Sequence, residues 1–211
     1  GLILEFDIYD FDKTLVPFDS GSLFIAYCTL HYPWIIITFP LMIIAALLMA
    51  LGIIRFTQFK KISFIFLPLI PLQKAVCGFW NRHEKQLYQW FFERKRKGIV
   101  ISASPDFLLE EISKRAGFDY LICTRHNKKN GMIIGENCRG EEKVKRLFDE
   151  FGADVKIIDV YSDSYKHDKY IFSLATGNCY HIENGERVKF NYKDKYCLLY
   201  TSPSPRDYAA S

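Results

Sequence analysis

With 211 residues, 49% of them hydrophobic, the chain can bury one good core, and its length predicts one domain carrying an insertion rather than two independent domains. A net charge of +4, with Lys and Arg scattered through the polar part rather than gathered into one stripe, argues against a nucleic-acid partner. The six cysteines are far apart, with no Cys-x-x-Cys pair and no Cys/His cluster at metal-ligand spacing, and they read as reduced thiols in a cytosolic setting.

The chain starts at Gly1 without Met, which predicts that a few native residues precede it, and no signal peptide is visible. Residues 3–9 are apolar and β-branched, the pattern of a buried strand in a parallel sheet. The stretch Asp10-Phe11-Asp12-Lys13-Thr14-Leu15 then falls at the carboxyl end of that strand, where open α/β sheets bind ligands. Two carboxylates two residues apart, one able to attack and one able to pass a proton, held beside a divalent cation, suit phosphoryl transfer through an aspartyl-phosphate. A strand ending in a plain polar turn has the same local composition.

Residues 16–21 read as a turn whose Asp19 or Ser20 caps the following helix. From Ser22 to Ile54 there is no Asp, Glu, Lys or Arg, and residues 34–54 are long enough to cross a bilayer, which takes about 20 residues. Tyr27, His31, Tyr32 and Trp34 stand at the front edge of this run and Arg55, Phe56 and Phe59 at its back, as in interfacial anchoring. A second apolar run, residues 62–72, contains Pro68 and Pro71 and reaches only about half the hydrocarbon thickness as a helix. A single crossing would separate Asp10 from everything after Lys74, and a full two-span hairpin would place Arg55, Lys60 and Lys61 on the far side, against the positive-inside tendency. The expectation is therefore a monotopic hairpin, residues 21–77, dipping into the cytoplasmic leaflet, with an apolar cap closed on itself or on a partner as the alternative.

Residues 81–97 are amphipathic and read as a helix with a basic end, Arg94-Lys95-Arg96-Lys97, stopped by Gly98; the cations are either solvated or set against anionic lipid. An apolar strand then delivers Ser102, Ala103 and Ser104 to its tip, and Pro105 starts a helix that runs to about Gly117. A hydroxyl and free backbone N–H groups there can hold phosphate oxygens. Residues 120–124 and 132–135 flank Asn130-Gly131 and predict a β-hairpin. The helix opened by Glu141 and Glu142 has the apolar stripe Val144, Leu147, Phe148 and Phe151, with Lys143 in its first turn and off that stripe. A cation there opposes the helix dipole; it either neutralises a bound phosphate and a neighbouring carboxylate or pairs with Glu142 or Glu150 at the surface. Residues 155–161 predict another strand, tipped by Asp163 and Asp168, acids able to complete an all-oxygen magnesium shell, and residues 178–182 a last short strand. The Pro- and Ser-containing tail, residues 197–211, reads as non-native and disordered.

Taken together, the four strand-tip motifs resemble the haloacid dehalogenase superfamily of aspartate-nucleophile phosphatases, in its phosphoserine-phosphatase-like class with the cap inserted after the first motif. The resemblance covers residues 3–188 and implies a Rossmann-like α/β core, residues 1–20 and 78–196, with a parallel sheet and a helical cap at 21–77. It further implies that Asp10 attacks phosphorus and binds Mg2+, and that Asp12 protonates the leaving oxygen, later activates water, and touches the metal through its carbonyl. By the same resemblance Ser102, Ala103 and Lys143 hold phosphoryl oxygens, Asp163 and Asp168 complete the metal shell, and Asp19 faces the substrate. Relatives usually place the second acid of the last motif four residues after the first, where His167 stands, and Arg139 competes with Lys143 as the phosphate cation. Asp12-Lys13-Thr14 also resembles the phosphorylation motif of P-type cation pumps, but Leu15 replaces their Gly, and an acid two positions after Asp10 favours hydrolysis over a stored phosphoenzyme. The apolar cap resembles that of bacterial membrane-bound phosphatases, including one for phosphatidylglycerophosphate. It implies a phosphomonoesterase at the cytoplasmic membrane face, acting on a lipid head group or on a soluble phosphoserine-like substrate; an inactive membrane adaptor on the same fold is the reading from another class.

Overall fold

The computed structural model describes residues 3–197; the expected disordered tail from residue 198 onward lies outside the described residues. A six-stranded sheet runs in the order β3-β2-β1-β4-β5-β6, with β1 Glu5–Tyr9, β2 Gly98–Pro105, β3 Tyr120–Thr124, β4 Lys156–Ser162, β5 Cys179–Glu183 and β6 Glu186–Phe190. The pairs β1–β2, β1–β4, β2–β3 and β4–β5 are parallel, and β5–β6 is antiparallel. The chain builds outward from β1 to β3, then returns to the other side of β1 as β4. That reversal opens a crevice at the carboxyl ends of β1 and β4, where such sheets hold ligands.

Alternation along the strands sorts side chains to two cores. Phe6, Ile8, Ile99, Ile101, Ile122, Ile157 and Val160 face one layer, closed by Leu147 of α7 (Glu141–Phe151) and by Ile171 and Phe172 of α8 (Lys169–Phe172). Tyr9, Val100 and Tyr161 face the other, where they join α1 (Ser20–His31), α4 (Leu72–His83) and α6 (Asp106–Ala116). In α4 the residues Ala75, Val76, Phe79 and Trp80 are buried, a helical stripe whose indole donates to Leu108 O at 2.7 Å.

The insertion departs from this packing. After α1, residues Pro33–Thr38 form a 3-10 turn leading into α2 (Phe39–Ala50), and Ile37, Ile43, Leu47 and Leu51 are 70%, 58%, 60% and 74% exposed. Residues Pro33–Ala50 are long and apolar enough to cross a membrane, and 11% of them are buried in the protein. The chain turns at Gly52 and comes back through α3 (Phe56–Lys61). The second apolar run is not a second leg of a hairpin, as the hydropathy suggests. Phe64, Phe66 and Leu67 are fully buried, with the Phe64 ring set edge-on to Phe107 at 5.3 Å and to His126 at 5.4 Å. Pro68 sits in a short 3-10 turn, Leu67–Leu69, that ends any helix. Apolar content marks residues for burial, and here protein rather than lipid is the burying medium.

Gly131 is part of that docking. Its φ of +74° is open to glycine, and a Cβ there would lie 1.7 Å from Phe64 O. Gly131→Ala is expected to cost about 2–4 kcal/mol by combining left-handed strain with a backbone clash. Thermal unfolding checks this; an unchanged midpoint would mean that the 127–132 turn does not support the cap.

Three further expectations are corrected. The predicted helix over 81–97 is broken: α4 ends at His83, and α5 is only Gln89–Phe92. Tyr88 N donates to Leu15 O at 2.9 Å and pulls the chain off a helical path. The basic run is not a helix end: Arg94 pairs with Asp119 at 3.1 Å and Arg96 with Asp7 at 2.6 Å, while Lys95 and Lys97 are exposed. The predicted hairpin at Asn130-Gly131 shrinks to one antiparallel bridge, His126 to Ile133, beyond the end of β3 at Thr124. A full hairpin instead joins β5 and β6 through Asn184 and Gly185, whose φ values of +50° and +84° suit a type I′ turn. The chain closes with α9 (Tyr192–Tyr196).

Candidate active site

Three strand tips converge in the crevice. Beyond β1, Asp10 N donates to Tyr161 O at 2.9 Å, so β4 holds the backbone of Asp10 in place. The chain then turns sharply: Lys13 adopts φ +55°, an uncommon choice for a residue with a Cβ, and the N–H groups of Thr14 and Leu15 both return to Phe11 O. That turn swings the buried Thr14 hydroxyl between two acids, 3.4 Å from Asp10 Oδ2 and 3.3 Å from Asp163 Oδ1, while it accepts from Asp163 N at 3.0 Å. Thr14 is therefore a site residue to which the sequence assigns no role of its own, although it lies within the stretch from Asp10 to Leu15.

Lys143, in the first turn of α7, is buried between carboxylates. Its Nζ lies 3.1 Å from Asp10 Oδ1 and 2.9 Å from Asp168 Oδ1, the latter an ion pair close in distance but poorly aligned as a hydrogen bond. Burial opposes its charge, yet Asp10 and Asp168 outweigh that and hold the ammonium above its ordinary value. Surface pairing with Glu142 or Glu150 is thus not its role; Glu142 goes to Arg146 at 3.3 Å. Arg139 does not compete for this position, because its Nη2 donates to His167 Nε2 at 2.7 Å. Burial, with the Arg139 charge next, keeps the His167 ring below its ordinary pKa and hence a neutral acceptor.

Asp12 is set apart from that cluster. Ser20 N donates to its Oδ1 at 2.9 Å, and the Ser104 hydroxyl donates to its Oδ2. Burial raises its carboxyl and the charge of Asp19 adds to this, so Asp12 holds a proton more readily than a free carboxyl. Asp19 is the N-cap of α1, accepting from Ser22 N at 2.9 Å. At the β2 tip Ser102 Oγ accepts from Ser104 N at 3.0 Å, and Ala103 O accepts from Thr124 Oγ1 at 2.9 Å and from Lys60 Nζ at 2.7 Å. Ser104 is thus an additional site residue, and Lys60 fastens the returning chain to the β2 tip. Ser104 was legible only as part of a serine-rich tip, and no local pattern marked Lys60.

Among the described residues no three His, Cys, Asp or Glu side chains close on one point as a cation cage. Asp168 is directed to Lys143 and to the Ser162 hydroxyl, which donates to its Oδ2 at 2.5 Å, because it is 2% exposed and its charge needs near partners. Asp12 presents its carboxylate to serines. The carboxylates left for a cation are Asp10 and Asp163, either side of Thr14, with Asp12 entering through its carbonyl as the resemblance implies, and such a set suits an ion that keeps waters and takes phosphate oxygens as well. Burial pushes Asp10 well above its ordinary value, Lys143 opposes this, and the charges of Asp168, Asp163 and Asp12 add to it. This surplus of negative charge is the chemistry that a divalent cation offsets.

A family model described as haloacid dehalogenase-like hydrolase matches residues 8–169. Over 95 residues the chain is 33% identical to Protein CicA of Caulobacter vibrioides, a match spanning 43% of this chain and 42% of that relative's length. Among solved structures, a protein of unknown function from Bordetella pertussis Tohama I superposes with a TM-score of 0.62 at 18% identity, over 77% of this chain and 83% of that one. A phosphoserine phosphohydrolase-like protein from Francisella tularensis gives 0.52 at 14% identity over 98% and 97%. A phospho-aspartyl intermediate analogue of phosphoserine phosphatase gives 0.51 at 18% over 84% and 86%. These likenesses establish the fold.

Proposed function

The chain belongs to the haloacid dehalogenase-like hydrolase family, and from that premise we propose that it is a magnesium-dependent phosphomonoesterase that works through an aspartyl-phosphate at a membrane surface. The observation that carries this reading is Asp10, held between Lys143 and Thr14 at the switch point of the sheet, with Asp12 two residues on and separately buried. A carboxylate oxygen of Asp10 attacks phosphorus as the bond to the leaving oxygen breaks, and Asp12 gives that oxygen its proton. The ionised Asp12 then takes a proton from water as the water attacks phosphorus, which frees inorganic phosphate and restores Asp10. Lys143 offsets charge on Asp10 and on the phosphoryl oxygens, and Ser102 and the backbone at Ala103 offer the opposite wall of the crevice. Asp10 and Asp163 would hold Mg2+, which when bound supplies positive charge to the phosphoryl group and keeps Asp10 ionised.

The exposed apolar arm, residues 33–54, supports membrane association. Its two ends are fastened to the same body: Trp34 Nε1 donates to Leu69 O at 2.7 Å, and Lys60 Nζ to Ala103 O. An arm that leaves and returns on one side dips into a leaflet rather than crossing, and Arg55 and Lys61 at its exit suit anionic head groups. We therefore place the enzyme at the cytoplasmic face of a bacterial membrane, a setting that agrees with its free cysteines. Its substrate is then a phospholipid head-group phosphate such as that of phosphatidylglycerophosphate.

The test compares phosphate release from lipid and water-soluble monoesters in mixed micelles, with Mg2+ and with chelator, alongside flotation with anionic vesicles. Turnover of lipid phosphate that stops with chelator is the expected result. Chelator-resistant hydrolysis would remove Asp10 and Asp163 from metal binding, and preference for phosphoserine over every lipid would end the lipid assignment. Absence from floated vesicles would mean that the arm is covered by protein, and no turnover of any monoester would favour an inactive adaptor.

A further inference from the structure

We propose that Lys60 and Arg139 form a second anion subsite beside the reaction centre, one that takes an anionic group, a phosphodiester or a carboxylate, on the substrate's leaving alcohol. The inference deepens the phosphomonoesterase reading and rests on it. Lys60 is an unusual cation in this molecule. Its Nζ donates to two neutral oxygens, Ala103 O at 2.7 Å and Asn137 Oδ1 at 2.8 Å, and forms no ion pair among the described residues. Lys143, by contrast, lies between two carboxylates. Arg139 is in the same condition as Lys60: its Nη2 donates to the neutral His167 ring, its guanidinium lies 5.2 Å from the centre of the Phe56 ring, and it too has no ion-pair partner among the described residues.

Two cations without an ion-pair partner among the described residues, joined through a single helix, leave room for an anion, since the charges of Asp12 and Asp19 offset only part of the burial of Lys60. Phe56 and Lys60 are four residues apart in α3 and so share a face, which sets Lys60 on the β2 tip and Phe56 on Arg139. Burial draws the Lys60 ammonium down to about 8, with the Asp12 charge opposing this and the Arg139 charge adding to it. A bound anion would relieve both the burial and the repulsion. A further donor is available, since Asn137 Nδ2 is buried without a hydrogen-bond partner. The side of the crevice is also defined: Lys60 Nζ donates to Ala103 O, and the adjacent Ser104 hydroxyl donates to Asp12, the acid assigned to the leaving oxygen. Because α3 ends the apolar arm, a molecule held against the arm presents its polar linkage to this pair, which favours a phosphodiester over a carboxylate.

The experiment titrates the full chain in detergent with glycerophosphoglycerol, a phosphodiester lacking the monoester, and with glycerate, by calorimetry. It repeats this for Lys60→Met, Arg139→Met and Lys60→Arg, with melting curves. Kinetics follow on a monoester of a neutral alcohol and on one whose alcohol carries the diester. The diester is expected to bind wild type, to weaken about tenfold in either Met variant through loss of a charge-assisted hydrogen bond, and to recover in Lys60→Arg. KM for the doubly anionic monoester should rise in parallel, while that for the neutral-alcohol ester stays within about threefold. Tighter binding of glycerate would identify the carboxylate as the source. Equal losses on both esters, unchanged binding with a lowered melting point, or no binding of either anion to wild type would overturn the subsite and leave Lys60 as a fastening for α3. Binding needs no turnover: Lys60-dependent binding without hydrolysis would remove the phosphatase reading alone, and hydrolysis without it would remove the subsite alone.

Discussion

Asp10→Asn is expected to lower phosphomonoester turnover by roughly three orders of magnitude or more, with the fold retained, because an amide cannot form the acyl-phosphate. The substitution keeps the size of the side chain and removes one of the carboxylates crowded around Lys143, so the loss should not come through unfolding. Melting curves and acid-quenched labelling together separate these causes: the variant should melt near wild type and carry no phosphoryl group. Asp12→Asn should differ in kind, forming phosphoenzyme slowly and releasing it more slowly still, since the Ser20 and Ser104 bonds hold a side chain that can no longer pass a proton. Ordinary turnover by Asp10→Asn would remove the nucleophile assignment. Accumulated phosphoenzyme in that variant would place the attacking group elsewhere in the crevice.

Lys143→Met is the substitution with the largest expected effect on stability. Lys143 lies between Asp10 and Asp168, both away from solvent, and removing one member of a buried charge set typically costs about 3–5 kcal/mol. The cost should depend on pH in a definite direction. Burial already raises the Asp10 carboxyl, and without the lysine it rises further. A carboxyl whose folded value lies above its unfolded value contributes stability that is present below the unfolded value and lost as pH rises through the folded one. The gap between wild type and Lys143→Met, measured in chelator by denaturant unfolding, should therefore be smallest in acid and widen toward neutral pH. A gap constant with pH would mean that packing of the lysine stem, not its charge, holds α7 at the site. Added Mg2+ should narrow the gap at neutral pH if Asp10 and Asp163 bind it.

Chain-local chemistry was readable without coordinates. The apolar run in residues 3–9 and the two acids after it placed Asp10 and Asp12 at a strand tip, since strand burial and turn composition are written into neighbours. The same holds for the stripe that puts Leu147 inward and leaves Lys143 pointing elsewhere. Hydropathy also marked residues 34–54 and 62–72 for burial, but it measures aversion to water and is silent about what replaces the water. Only packing assigned Phe64 and Phe66 to the protein core while leaving Leu47 and Leu51 outside it. An Asn-Gly pair is likewise a turn in either place it occurs, and which becomes a hairpin depends on strand partners: residues 186–190 pair with β5, whereas the chain after Gly131 makes only the bridge from Ile133 to His126. The division between His167 and Asp168 and that between Arg139 and Lys143 follow from side-chain direction across the crevice, which spacing along a chain does not encode. Lys60 shows the limit most clearly. Its neighbours in sequence make it the edge of an apolar arm, and its place beside Ala103 and Asn137 exists only because the arm folds back over a sheet built from distant segments, through long-range contacts that no local pattern records.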